Sequence, residues 1–447
     1  MQRLTIAMLA TALILSACGG SEPEAAPTTA TPSSEAAVTS VSRPPETLRQ
    51  TTTSSTTTTT TKPPAPPPQL SIEGAGPLLL ALMRDLYTAP APVLPSEEGK
   101  AKAPPVTTGD QQNQGKANKK KAPSHPRPKV PTTNENLAEL LGMRTLVTNP
   151  MKGRAEVATL ESGVIAVVQV GRDITLAVKD PDWKIVGGWW PSFDMKGARV
   201  GKFPKLVAVI GSDARPDDDP ATALADSIHI IGLDGTGAGG SLGIPRDSWE
   251  SLSTGGTSKI NAALARGGPD AMMETLENTT GLDLDGYLLT GFSGFEAMVD
   301  ILGGVQITLD EPMVDSGSHA DFDAGKHLMD GVMALAFSRT RKTLFTGDFE
   351  RQVNGGVVLK AATAVVRELG VMSIPSLIKK SEEHFLTDLS AEELLLFSVS
   401  AYLSDLDKIG NDVADGTTGS AGGPSVVFLL PSADDQFADM ADGVLDD

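Results

Sequence analysis

The chain has 447 residues, a formal net charge of −19 and only 4% aromatic residues. That balance lacks the basic footprint of a nucleic-acid binder, although a local arginine cluster can still receive a small polyanion. A single cysteine, Cys18, excludes an internal disulfide.

Residues 1–18 read as a lipoprotein signal peptide ending in a lipobox. Met1-Gln2-Arg3 is the positive end, and residues 4–14 form an apolar run, shorter than the about 20 residues of a membrane-spanning helix. Leu15-Ser16-Ala17-Cys18-Gly19 follows, with Cys18 as the expected lipid anchor. The expected location is therefore the extracytoplasmic face of the cell membrane. Residues 19–134 read as a disordered stalk and linker. The run Thr51–Thr61 and the prolines from Pro63 to Pro68 offer too little apolar area to offset chain entropy. Extended at about 3.1 Å per residue, roughly 50 such residues reach on the order of 150 Å. Within this span, 70–88 hold an apolar patch with a helix expected over Leu78–Tyr87. Lys116–Lys121 is a basic run, read as solvated linker or as a contact for anionic lipid or wall polymer.

Residues 135–200 read as a small β-rich module, with strands over Glu156–Val170 and Asp173–Lys179 and a hairpin end at 182–191. Three of the chain's four tryptophans lie there, either as core and interface packing or as a glycan-stacking platform. The main domain is expected over 201–431. Strand-like runs at Leu206–Ile210, Ser227–Leu233, Ser241–Ile244, Val305–Leu309 and Val426–Leu430 alternate with helical spacing. The helices are expected at Pro269–Asn278, Phe292–Leu302, Asp330–Ala336, Val357–Leu369, Ile374–Lys380 and Ala391–Leu406. This alternation indicates an α/β fold, an α/β/α sandwich around a mixed or largely parallel sheet. The acidic tail 432–447 is expected to fray.

Charged residues recur at the ends of the apolar runs. Leu206–Ile210 leads to Asp213 and Arg215, Asp226 precedes Ser227–Leu233, and Ser241–Ile244 leads to Arg246. Ala334–Phe337, read as a further buried run, leads to Arg339 and Arg341, whose i, i+2 spacing would place them on one side of a strand. Polar groups at strand ends of an α/β sheet are where ligands sit. Two aspartates with several arginines suit a metal-bound phosphate or pyrophosphate. The five histidines show no metal-ligand spacing, and no Ser-His-Asp or Cys-His signature is present.

Eight motifs in order resemble the LytR–CpsA–Psr family: Gly211-Ser-Asp-Ala-Arg215, Gly243-Ile-Pro-Arg-Asp247, Lys259-Ile-Asn-Ala262, Gly267-Gly-Pro269, Asp300-Ile-Leu-Gly-Gly-Val305, Leu328-Met-Asp-Gly331, the pair Arg339/Arg341, and Gly347-Asp-Phe-Glu-Arg351. The resemblance implies an α/β extracytoplasmic phosphotransferase. Such an enzyme moves a glycopolymer from a polyprenyl-pyrophosphate carrier to peptidoglycan. It also implies magnesium (or manganese) at Asp213 and Asp226. Arg246, Arg339, Arg341 and Arg351 would be the catalytic pyrophosphate clamp, with Arg215 as a secondary ligand. A tunnel for the carrier's tail is expected from Ile231, Leu288, Phe292, Phe295 and Met298, together with Met272, Met273, Leu276, Leu289, Val299 and Leu302. The same residues also read as ordinary core. The Thr/Pro stalk leans toward an actinomycete source and arabinogalactan as the polymer.

Two positions depart from the family pattern. Leu224 stands where an arginine is usual, and Gly355 where a glutamine is usual. Each loss removes a polar contact near the phosphates and implies reduced activity. A lipoprotein that binds lipid-linked precursors without efficient transfer, and a polyprenyl-pyrophosphate pyrophosphatase, therefore stand as alternatives. Asp217-Asp218-Asp219 reads as an exposed loop or as a recruiter of cations.

Overall fold

The structure, a computed structural model, describes residues 70–88, 129–144, 150–341 and 348–445. The expected signal peptide, Cys18 anchor, stalk and basic run lie outside the described residues.

A first sheet has the order β1 (Leu70–Glu73), β2 (Met151–Leu160), β3 (Gly163–Val170), β4 (Asp173–Lys179), β5 (Trp183–Trp189). β1 runs parallel to β2, and β2 to β5 are antiparallel neighbours. The single strand expected over Glu156–Val170 is in fact the β2–β3 hairpin. Alternation divides β3 cleanly: Ala166 and Val168 join a cluster with helix α1 (Pro77–Tyr87), while Ile165 and Val167 face the main domain. A short helix α2 (Glu135–Gly142), capped by the Asn134 side chain, covers the α1 side. Residues 70–88, assigned to the stalk and linker from composition, thus belong to this module. Their apolar face is completed only by strands more than 60 residues later, which composition cannot register. Trp190 is buried and donates Nε1–H to Thr175 Oγ1 at 2.9 Å, so it packs in the core.

The main domain is built on a mixed six-stranded sheet. In chain order its elements are β6 (Lys205–Ser212), β7 (Ala225–Leu233), β8 (Gly239–Gly243), the small pair β9 (Trp249–Ser251) and β10 (Thr257–Lys259), α3 (Ala262–Thr280), β11 (Gly286–Thr290), α4 (Phe292–Leu302), β12 (Val305–Leu309), β13 (Met313–Asp315), β14 (Ala320–Phe322), β15 (Gly325–Met329), α5 (Gly331–Arg339), α6 (Asp348–Leu369), α7 (Ile374–Ser381), β16 (Leu386–Thr387), α8 (Ala391–Leu403), β17 (Ile409–Val413), β18 (Gly416–Ser420), β19 (Ser425–Leu429) and α9 (Pro431–Met440). The order across the sheet is β16-β11-β6-β7-β8-β17. β6 runs parallel to β11 and β8 parallel to β17, while β7 runs antiparallel to both β6 and β8.

Both faces of the sheet are covered. Val207, Val209, Ile231 and Leu233 pack under α4 to α8, whereas Leu206, Ala208, Ile210, Ile228 and Ile230 pack under α3 and α9. This is the expected α/β/α arrangement. The Gly267-Gly268-Pro269 motif marks a kink inside α3, where Gly268 takes φ 72°. The acidic tail, expected to fray, forms α9 instead. Ala433, Phe437 and Met440 are buried on a stripe that the surrounding aspartates mask in composition.

Candidate active site

Asp226 is placed by a β-bulge. Gly211 faces Ser227 and Ser212 faces Ala225, so Asp226 is the extra residue between them. Bulges re-aim side chains beside functional sites, and here both ends of Asp226 are gripped. Its carboxylate accepts a hydrogen bond from Arg246 Nη1, and its backbone carbonyl accepts one from Arg351 Nη1 at 2.6 Å. Arg246 follows β8 through a turn closed by Ser248 N–H to the Pro245 carbonyl at 3.0 Å. The Asn261 backbone ties the two strands' ends together, accepting from Ala225 N–H and donating to the Arg246 carbonyl, each at 3.2 Å. Lys259 pairs with Asp247 at 2.8 Å, which accounts for that motif in structural terms.

Asp213 sits on the neighbouring strand end. Its Oδ1 accepts the Leu224 amide at 2.9 Å, and its own amide donates to the Leu224 carbonyl at 2.9 Å. The backbone of Leu224 therefore holds Asp213 whatever the side chain, which is exposed. Burial, and then the charge of Asp226, raise the Asp213 pKa above the usual carboxylate value. Among the described residues no group of three His, Cys, Asp or Glu side chains could hold a metal ion. The three aspartates at 217–219 are loop structure: Asp218 accepts the Arg215 amide at 3.1 Å, and Asp219 accepts the Ala221 amide at 2.9 Å.

Arg339 and Arg341 do not lie on a strand. Asp330 caps α5 by accepting the Met333 amide at 2.9 Å, and Arg339 is the helix's last residue. Arg341 follows in the extended segment beyond Thr340. The four-residue run Ala334–Phe337 cannot by itself distinguish strand from helix, and the upstream cap decides it. Both arginines nevertheless reach one cleft of about 320 Å³, lined by Asp226, Arg246, Asp315, Gly317, Arg339, Arg341 and Arg351. Arg215 stands next to it: the guanidinium carbons of Arg339 and Arg215 lie 5.2 and 5.9 Å from the Phe292 ring centroid. Phe292, expected in a tail tunnel, is thus a buried platform under two guanidinium groups.

Asp315, Gly317 and Gln352 escaped sequence reasoning. Asp315 is buried, accepts the Gly317 amide at 2.8 Å and the Arg341 amide at 2.9 Å, and so shapes the cleft wall. Its signal is the turn dipeptide pattern Asp315-Ser316-Gly317. Gln352 is buried and donates to the Ile244 carbonyl at 3.0 Å, pinning α6 to the strand that leads to Arg246. Ile231, Leu288, Phe292, Phe295 and Met298 do share one buried cluster, as do Val299 and Leu302. Met272, Leu276 and Leu289 belong to the opposite face of the sheet, with Met273 packed against them. They cannot line the same tunnel, because helical spacing does not tell which face a helix covers.

The LytR_cpsA_psr family matches residues 191–423. The "Probable cell wall biosynthesis protein LcpB" of Corynebacterium glutamicum is 36% identical over 157 residues, 35% of this chain and 38% of that protein. The polyisoprenyl-teichoic acid–peptidoglycan teichoic acid transferase TagU of Bacillus cereus is 35% identical over 175 residues, 37% of this chain and 56% of that protein. The chain thus matches about half or less of these relatives' length. The crystal structure of Bacillus subtilis TagV is 24% identical, with a TM-score of 0.47, over 54% of this chain and 96% of that one.

Proposed function

From the premise that this chain belongs to the LytR–CpsA–Psr family, we propose that it is a phosphotransferase of cell wall assembly. It would move a glycopolymer from a polyprenyl-pyrophosphate carrier to peptidoglycan. The observation that carries this reading is the convergence of Arg246, Arg339, Arg341 and Arg351 on one cleft with Asp226. TagU, named as a polyisoprenyl-teichoic acid–peptidoglycan transferase, supports the same reaction class.

The chemistry follows from the donor. The acceptor hydroxyl oxygen bonds to the glycan-bearing phosphorus as the bond to the second phosphate breaks. Polyprenyl phosphate leaves with that bond's electrons, and the hydroxyl proton is released. Guanidinium forks can hold the non-bridging oxygens in pairs and stabilise the charge that develops on the leaving phosphate. Asp226, through Arg246 and Arg351, keeps two of those forks aimed before substrate arrives. The bent backbone at the bulge fixes that aim.

Asp213 and Asp226 suit a divalent cation of the magnesium type. Two carboxylates close enough for one to raise the other's proton affinity would be relieved by a bound divalent cation. Magnesium commonly takes one or two carboxylates and completes its shell with substrate phosphate and water. When bound, it would neutralise charge on the donor's phosphates. Lipid anchoring through Cys18 on the extracytoplasmic face is part of the proposal, and no helix among the described residues is long and apolar enough to cross a membrane.

The test is phosphate release from a short polyprenyl pyrophosphate, and transfer to a peptidoglycan acceptor, by the purified chain with and without magnesium. Magnesium-dependent transfer that disappears in Arg246→Ala is expected. Release without transfer would identify a pyrophosphatase, and tight donor binding with neither would identify a binder of precursors.

A further inference from the structure

A second cavity, of about 410 Å³, opens beside the arginine cleft and shares Arg339 with it. One turn separates the two. Asp315 and Gly317 face the arginine cleft, whereas Ser318 and His319, the next residues, face the second cavity. The β13–β14 hairpin thus forms a partition with one substrate-sized space on each side.

The two spaces have opposite chemistry. Glu296, Asp321 and Asp323 line the second cavity, so a phosphate would be repelled from it. Carboxylates are hydrogen-bond acceptors and pair well with hydroxyl groups. Phe322, whose ring lies 5.7 Å from that of His327, and the largely exposed Val332 supply apolar wall. A pyranose has this same pairing of needs, with hydroxyls at its edge and carbon–hydrogen faces above and below. A prenyl chain fits less well, because it would lie against Glu296, Asp321 and Asp323 and offer them no hydrogen-bond donor.

The geometry points to this cavity as the acceptor subsite, holding an uncharged, hydroxyl-rich glycan with one hydroxyl turned past Arg339 toward the donor phosphorus. The inference rests on the transferase reading and adds where the second substrate sits. Glu296 fits the role in a further way: burial and then the charges of Asp300 and Asp330 raise its proton affinity, so a partner that donates hydrogen bonds is favoured there.

The test titrates the purified full chain with an uncharged N-acetylglucosamine tetrasaccharide and, separately, with farnesyl pyrophosphate plus magnesium. Binding is read by saturation-transfer NMR and calorimetry. Asp321 and Asp323 are exposed, so Asp321→Asn/Asp323→Asn should leave the fold intact. The double variant, and separately Val332→Lys, are expected to weaken the tetrasaccharide about tenfold or more and leave farnesyl pyrophosphate within about twofold. Failure of the tetrasaccharide to bind the unaltered chain, binding that both variants retain, or its displacement by farnesyl pyrophosphate would each overturn the inference. Loss of farnesyl pyrophosphate binding alone, with the tetrasaccharide result as expected, would instead count against the donor reading and leave the glycan subsite standing.

Discussion

Gly355 on α6 lies directly over His229 on β7: a Cβ at residue 355 would stand 2.7 Å from the imidazole Nε2. The histidine is buried and fills the space that a larger side chain at 355 would need. The glycine that departs from the family pattern is therefore one half of a matched pair. Substituting Gly355→Gln alone should overpack this layer and cost about 1–3 kcal/mol. Combined with His229→Ala, the same substitution should be tolerated. A double-mutant cycle by urea denaturation would then give a favourable coupling of about 1–3 kcal/mol. Strict additivity would show that the two positions do not compete for space.

His229 also sets an acid limit. Burial, and then the charge of Arg351, lower its pKa from 6.5 to about 3. The unfolded chain therefore binds this proton more readily than the folded one, and stability falls as pH drops from the unfolded value toward about 3. A His229→Asn variant should show a shallower loss of melting temperature between about pH 6 and pH 4. Equal slopes in the two proteins would assign the acid sensitivity elsewhere.

Asp213 should respond in opposite senses to neutralisation with and without magnesium. Its raised pKa means that the folded state disfavours the charged carboxylate, so this contribution worsens as pH rises through the usual carboxylate range. Without divalent cation at pH 7, Asp213→Asn should therefore melt higher than the unaltered chain. With magnesium, the unaltered chain should gain about 1.4 kcal/mol for each tenfold of ligand above its dissociation constant, and the variant should gain little. A magnesium response equal in both proteins would remove Asp213 from the metal site.

Much of this architecture is legible from residue order, and the exceptions share a cause. The run Phe292–Leu302 has the spacing and length of a helix and is one, bounded by Gly291 and Gly303. Asp226 and Arg246 stand at strand ends, where residue order places them, and both line the cleft. Local pattern could not reveal that Asp226 is a bulge residue, since a bulge exists only relative to its partner strand. Nor could it reveal that 70–88 completes a distant sheet, that α9 hides an apolar stripe among aspartates, or that Phe292 supports arginines from two other segments. Each of these is a long-range relationship between residues that look ordinary in their own neighbourhood.

Phe292 separates the two roles its position allows. Its ring is fully buried and carries Arg339 at 5.2 Å and Arg215 at 5.9 Å. Each such contact is worth about 0.5–2 kcal/mol, whereas Phe292→Leu keeps most of the packing and should cost under about 1.5 kcal/mol in stability. If the ring serves to aim the guanidiniums, this variant should lose about tenfold in kcat/KM for donors with short and long prenyl chains alike. Were the ring instead part of a tail tunnel, the loss would grow with prenyl length and vanish for the shortest donor. Comparing kcat/KM for C10 and longer prenyl pyrophosphates distinguishes the two, and a length-independent loss would place Phe292 with the arginines.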